Sequence, residues 1–229
     1  MNETKTNPLL DVNQLNKIVT SPDGNLTLLD DVNLKIYPAE SVAIVGASGA
    51  GKSTLLAILA GLDVPSSGQV LLDQAELFNL DEDGRAQLRG RLIGFVFQSF
   101  QLLPSLTAIE NVMLPLELLN MTGAEEKAKQ VLSRVGLDKR ASHYPRQLSG
   151  GEQQRVAIAR AFAVQPKILL ADEPTGNLDM KTGEKIIDLL FSLNNEQGTT
   201  LILVTHDESL ASRCQRKLHM DAGKLVEID

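Results

Sequence analysis

Ser41-Val42-Ala43-Ile44-Val45-Gly46-Ala47-Ser48-Gly49-Ala50-Gly51-Lys52-Ser53-Thr54 decides the fold. Its first five residues are a short apolar, β-branched run of the kind that makes a buried strand, and the apolar stretch 55–62 beyond it is long enough to continue a helix. Between them lies a glycine-rich turn, so the order is strand, turn, helix, as a phosphate-binding loop requires. Gly46, Gly49 and Gly51 let the backbone turn tightly, so that successive N–H groups of Gly46, Ala47, Ser48, Gly49, Ala50, Gly51, Lys52, Ser53 and Thr54 face phosphate oxygens. Lys52 reaches the outer phosphates, and the Ser53 hydroxyl is placed to ligate Mg²⁺. The stretch predicts binding of a nucleoside triphosphate; by itself it names neither reaction nor partner.

Working outward, alternating apolar positions over 9–19 and 26–36 predict antiparallel strands joined by the turn Ser21-Pro22-Asp23-Gly24, after a frayed tail that ends near Pro8. Beyond the loop, Gly61 and Pro65 stop the helix. A strand is expected over 69–72, a polar helix over 81–89 and a buried strand over 93–97, ended by Gln98. From 99 to 164 strand signals vanish, and helical spacing appears at 108–119 and 125–135. Strands return at 167–172 and 200–205, with a helix between them whose Ile186, Leu189, Leu190 and Leu193 share one face. A closing hairpin turns at Asp221-Ala222-Gly223.

Strands alternating with helices predict an α/β fold: a P-loop NTPase core with a mostly parallel sheet, an N-terminal antiparallel β subdomain and an inserted helical subdomain. The expected division is one domain, 1–229, with about 9–98 and 165–229 forming the core and its antiparallel part, and about 99–164 the helical insertion.

The chain has 229 residues and a net charge of −7, which leaves no electrostatic footprint for nucleic acid. A single cysteine, Cys214, expected on a late helix, excludes an internal disulfide and a cysteine-based metal cage. No apolar run reaches membrane-spanning length, and the polar start has no signal-peptide core.

Two further constellations carry chemistry. Asp172-Glu173 directly follows the apolar strand, so both carboxylates stand at its carboxyl end; Asp172 can hold Mg²⁺, usually through water, and Glu173 can polarise the attacking water as general base. Leu148-Ser149-Gly150-Gly151-Glu152-Gln153-Gln154-Arg155 opens a helix with Ser149 and Glu152 at capping-box spacing. A capping box needs no glycine pair. Gly150 and Gly151 strip side chains from the positive helix end and so make a second place for phosphate to approach.

Together with Gln98, Gly176-Asn177-Leu178-Asp179 and His206, these segments resemble, in order and spacing over nearly the whole chain, the ATP-binding subunits of ABC transporters. The stretches 97–104, 148–160 and 171–179 are most similar to the lipoprotein-releasing and macrolide-export group, and within it to the YbbA-type members. The resemblance implies ATP and Mg²⁺ as ligands and a head-to-tail homodimer. Ser149-Gly150-Gly151-Glu152 of one copy closes on ATP held by the loop of the other. It implies that Glu173 is the catalytic base, His206 a switch histidine at the γ-phosphate, Gln98 a glutamine sensing metal and water, and Leu178-Asp179 a loop crossing the dimer interface. It further implies a separate integral membrane permease as partner, no nucleic acid, and a cytoplasmic location on the inner face of the membrane through that permease. A soluble ATPase of the same family acting on nucleic acid or ribosomes is the rival reading; such proteins usually carry long coiled-coil insertions or tandem cassettes, and neither is present. A small-molecule kinase is a second rival, but it has no need of the second glycine-bearing helix end. His143 and His219 match no motif. The family usually stacks an aromatic residue on adenine, whereas here Val19 occupies the position, which predicts weaker discrimination between ATP and GTP.

Overall fold

The chain is described from a computed structural model, which covers residues 7–22 and 24–228. Most of the expected tail, and Asp23 of the first turn, lie outside the described residues. In chain order the elements are β1 (Leu10–Ser21), β2 (Gly24–Ile36), β3 (Ser41–Val45), α1 (Lys52–Leu59), β4 (Ser67–Leu72), β5 (Ala75–Glu76), α2 (Glu82–Leu92) and β6 (Ile93–Phe97). They continue with α3 (Ala108–Leu118), α4 (Ala124–Arg134), α5 (Gly150–Phe162), β7 (Ile168–Asp172), α6 (Met180–Gln197), β8 (Thr200–Val204), α7 (Glu208–Ala211), β9 (Arg216–Asp221) and β10 (Lys224–Ile228). The chain divides into two compact units, one built from the residues up to 89 together with 202–228, the other from 90–201.

In the first unit β1 pairs antiparallel with β2 from Leu10↔Ile36 to Ser21↔Gly24, and on its other edge with β4, in the order β2-β1-β4-β5. This is the expected antiparallel β part, enlarged by β4 and β5. The pairing of β4 with β1 joins segments more than fifty residues apart, which local pattern cannot reveal. β3 is buried along its whole length and runs parallel to β9, which forms an antiparallel hairpin with β10. Its β-branched Val42, Ile44 and Val45 suit a strand covered on both faces. The hairpin turns on Ala222 and Gly223, both at positive φ (43° and 80°), as a tight two-residue connection demands. Cys214 lies in the bend after α7, because that helix ends at Ala211. Its side chain is partly buried, and burial pushes the thiol up to about 11.

In the second unit β6 and β7 are parallel neighbours, and the segment between them carries α3, α4 and α5 with no strand. Ala108, Val112 and Leu116 of α3, Ala128, Val131 and Leu132 of α4, and Ala157, Ile158 and Phe162 of α5 are buried, each set at helical spacing. Of the face expected on α6, Ile186, Leu190 and Leu193 are buried and Leu189 is partly exposed. The result is a P-loop α/β architecture with antiparallel and helical parts.

Candidate nucleotide site

β3 ends at Val45, and the chain enters the loop through Gly46. At that position φ is +150°, and a Cβ would overlap the carbonyl oxygen of Met220 on the neighbouring β9. Gly51, at φ +108°, is the N-cap of α1, and a Cβ there would lie 2.5 Å from the carbonyl of Leu28. Both glycines are therefore required by backbone packed against the loop. Gly223, in the β9–β10 turn, completes the cradle. Its N–H donates to the Ala50 carbonyl at 3.1 Å, and its own carbonyl accepts from Asp30 N–H at 3.0 Å.

Lys52 is buried, and its ammonium donates to the carbonyls of Gly46 and Ala47, both at 2.8 Å. The loop thus curls around its own cation. No side chain caps α1 and its first turn contains no acidic residue, so the helix presents uncapped backbone N–H groups and a positive end field. Ser53 follows on an exposed face of the same turn. This combination is built for a polyanion.

Also in the first unit, Thr205 N–H donates to the Ile44 carbonyl at 3.2 Å, so the end of β8 lies beside β3 and His206 emerges exposed at its carboxyl end. Asp207 caps α7 by accepting from Ser209 and Leu210 N–H. The Ser209 hydroxyl beside it, at 2.7 Å, holds its carboxyl below the usual range. Val19 and its cross-strand partner Leu26 are both exposed on the β1–β2 hairpin, at 41% and 60%.

The second unit carries the acidic and signature residues. The β6–β7 register sets Phe97 opposite Asp172, so Gln98 and Glu173 leave adjacent parallel strands at the same end. Glu173 has φ +47°, a left-handed conformation that is uncommon for a residue with a Cβ. The turn after it is closed by Gly176 N–H donating to the Glu173 carbonyl at 3.0 Å. A Cβ on Gly176 would fall 2.6 Å from Gln98 Nε2, and Asn177 Nδ2 donates to the Gln98 carbonyl at 3.0 Å. The structure thus brings Gln98, Asp172, Glu173 and the 176–179 loop together. Buried Gln154 fixes the same loop through Nε2 and the Pro174 carbonyl.

Ser149 caps α5 reciprocally: its hydroxyl accepts from Glu152 N–H, and Glu152 Oε2 accepts from Ser149 N–H at 2.8 Å. The Ser149 hydrogen bonds, backed by Arg140, hold the Glu152 carboxyl below the ordinary range. Gly151 packs against α6, where a Cβ would meet Thr182 Cγ2 at 2.6 Å. Asp179 caps α6 by accepting from Thr182 N–H at 3.0 Å, and hydrogen bonds from Thr182 lower its pKa. Ser149 to Glu152, Leu178 and Asp179 line one cleft of about 710 Å³, into which Arg134, Arg155 and Lys185 bring positive charge.

Among the described residues no cluster of three or more His, Cys, Asp or Glu could hold a metal by itself. The oxygen donors named for Mg²⁺ (the Ser53 hydroxyl, Gln98 amide and Asp172 carboxylate) are nonetheless of the hard type that this ion takes. Three contributors escaped sequence reasoning: Gly223, Gln154 and Arg160, whose guanidinium reaches the Phe100 and Gln101 carbonyls. Gly223 reads in the sequence only as half of a turn, and Gln154 and Arg160 only as members of the stretch 148–160, without a role of their own.

A β-strand leading into an uncapped glycine loop that holds its own lysine is the build of a P-loop nucleotide-binding unit. The family described as ABC transporter matches residues 29–176. Escherichia coli K12 has an uncharacterized ABC transporter ATP-binding protein, YbbA, that is 56% identical over 221 residues, 96% of this chain and 97% of that protein. The lipoprotein-releasing system ATP-binding protein LolD of Bordetella pertussis is 48% identical over 222 residues, 96% of each chain. Among solved structures, the dimeric ATP-binding cassette MJ0796, in a post-hydrolysis state with ADP and Pi, is similar at TM-score 0.89 and 43% identity, covering 96% of this chain and 98% of that one. The chain belongs to the ABC transporter family, as an ATP-hydrolysing, ATP-binding cassette.

Proposed function

We propose that two copies of this chain close head to tail on ATP, hydrolyse it to ADP and phosphate, and transmit the closure to a separate membrane permease working in export or in lipoprotein or lipid release. The observation that carries this reading is a pair of glycine-bearing helix N-termini of unlike construction. The end of α1 is uncapped and cradles a buried lysine; the end of α5 is already capped, with Gly151 seated on α6. The first holds phosphates, and the second adds a contact from another copy, with Leu178 and Asp179 of the same cleft at the interface.

Lys52 and the N–H groups of Gly46 to Thr54 bind the phosphates. Mg²⁺, held by Ser53, Gln98 and Asp172, would neutralise charge on the β- and γ-phosphate oxygens. Glu173 accepts the proton of the attacking water, the left-handed turn at its Cα fixing where its carboxylate starts. His206 orients the γ-phosphate, and Val19 covers one face of the base. Nearly full-length likeness to an ABC transporter ATP-binding protein and to a lipoprotein-releasing system ATP-binding protein supports the permease partner and the transport class. No helix among the described residues is long and apolar enough to cross a membrane; in this reading the permease supplies the spans and holds the cassette at the inner membrane face. The net charge of −7 favours this reading over a nucleic-acid or ribosome ATPase.

Glu173→Gln tests the chemistry. ATP binding stays near wild type while turnover falls about a hundredfold or more, the usual worth of a general base. Normal turnover in this variant would remove Glu173 from the role. Copurification of an integral membrane chain with the intact protein tests the partner; recovery of ribosomes or nucleic acid in its place would favour the rival.

A further inference from the structure

The segment after Gln98 has a conformation that its sequence does not favour. Phe100 and Gln101 are consecutive residues at φ +60° and +47°, left-handed backbone that costs free energy for any residue with a Cβ. The turn is wound by Phe100 N–H donating to the Phe97 carbonyl at 3.3 Å and Gln101 N–H to that of Ser99 at 2.6 Å. Such a pair persists only where the surroundings impose it. Both carbonyls of the pair are held by Arg160, in the last turn of α5: Nη1 donates to the Gln101 carbonyl at 2.6 Å and Nη2 to the Phe100 carbonyl at 3.1 Å.

The planar fork of a guanidinium commonly grips a carboxylate, whereas here it spans two successive backbone carbonyls. Burial pushes the group below its ordinary pKa, and no carboxylate offsets that among the described residues. The same helix begins at Ser149 and, between its ends, holds the Pro174 carbonyl through Gln154, next to Glu173. One rigid element therefore touches the signature cap, the loop of the carboxylates and the turn after Gln98.

We infer that Arg160 is a positioning residue, whose fork holds the 98–101 turn in its left-handed form and through α5 ties Gln98 to the signature end of the helix. This rests on the reading of Gln98 as the residue that meets metal and water.

The test is steady-state ATP turnover by the full chain as a function of Mg²⁺, with Arg160→Met, Arg160→Lys, the double variant Arg160→Met/Gln101→Gly, and Gln98→Ala as reference. Arg160→Met lowers kcat about tenfold or more, changes the KM for ATP less than about twofold, and raises the Mg²⁺ needed for half-maximal turnover, as Gln98→Ala does. Adding Gln101→Gly restores most of the loss, because glycine takes the left-handed conformation without a clamp. Arg160→Lys, which keeps the charge but not the fork, falls between. A wild-type kcat and Mg²⁺ profile in Arg160→Met would overturn the inference, as would a loss that Gln101→Gly leaves unrepaired. If Arg160→Met does not fold, a wild-type profile in Arg160→Lys overturns it instead. If Gln98→Ala leaves the Mg²⁺ profile unchanged, the reading of Gln98 fails by itself, and the glycine rescue of kcat still decides Arg160.

Discussion

The N-termini of α1 and α5 begin with similar glycine-rich turns and end up chemically opposite. At α1 the glycines are imposed by backbone: a side chain on Gly46 or Gly51 would strike the carbonyls of Met220 or Leu28. No side chain caps that helix, and Lys52 is its first residue. At α5 the glycine constraint is a neighbouring side chain, Thr182, and the helix brings its own cap and its own anion in Ser149 and Glu152. On the proposed function, the end with open N–H groups and a buried cation holds phosphate by itself, and the end already part-neutralised adds its contact only when phosphate is presented to it. Sequence likeness between the two turns therefore hides a division of labour, which side-chain capping makes visible.

Breaking the first end has the largest effect. Gly46→Ala places a Cβ on the Met220 carbonyl and costs roughly 3 kcal/mol or more of stability, with loss of nucleotide binding, read by thermal melts and ATP titration. At the second end, Gly151→Ala costs less, about 1–3 kcal/mol, because a threonine methyl can yield where backbone cannot. Thr182→Ser removes that methyl and recovers most of the loss in the double variant. Equal, unrescued losses at both ends would erase the distinction.

A smaller effect sharpens the contrast through pH. The Glu152 carboxyl is held below its ordinary value by Ser149 and then by Arg140. A depressed acid stabilises the fold fully above its unfolded pKa of about 4.3, and that contribution is lost as pH falls through the lower folded value. The melting-temperature advantage of wild type over Glu152→Gln is therefore full at pH 7 and shrinks in melts run below pH 4; a constant difference would show that the cap does not depend on charge. No corresponding acid sits in the first turn of α1. The smallest effect concerns the base. Val19→Tyr supplies a ring for stacking and raises the preference for ATP over GTP by roughly two- to tenfold. Unchanged selectivity in competition binding would mean that position 19 does not cover adenine.

Local features were legible from sequence. The run 41–54 specified strand, loop and helix, and the apolar runs 93–97 and 167–172 specified two buried strands, the second observed over Ile168–Asp172, with Gln98 and Asp172-Glu173 at their ends. Ser149 and Glu152 specified a capping box, which the structure forms. What stayed hidden depends on partners distant in sequence. β4 reads as a strand, but only its register with β1 assigns it to the antiparallel sheet. Gly223 reads as a hairpin turn, but its support of Ala50 arises from the meeting of the β9–β10 turn with the loop. The left-handed Phe100, Gln101 and Glu173 carry no sequence mark at all, because none is the glycine that such φ values favour.

The measurement that bears most directly on the division of labour is the solution mass of Glu173→Gln at saturating ATP, by sedimentation, with and without Ser149→Arg. With ATP, Glu173→Gln is expected to run as a species of twice the 24.8 kDa chain mass. Glu173→Gln/Ser149→Arg is expected to keep a single-chain mass, with ATP still bound at the intact α1 end. A single-chain mass in the first variant, or a dimer unaffected by Ser149→Arg, would contradict that division of labour.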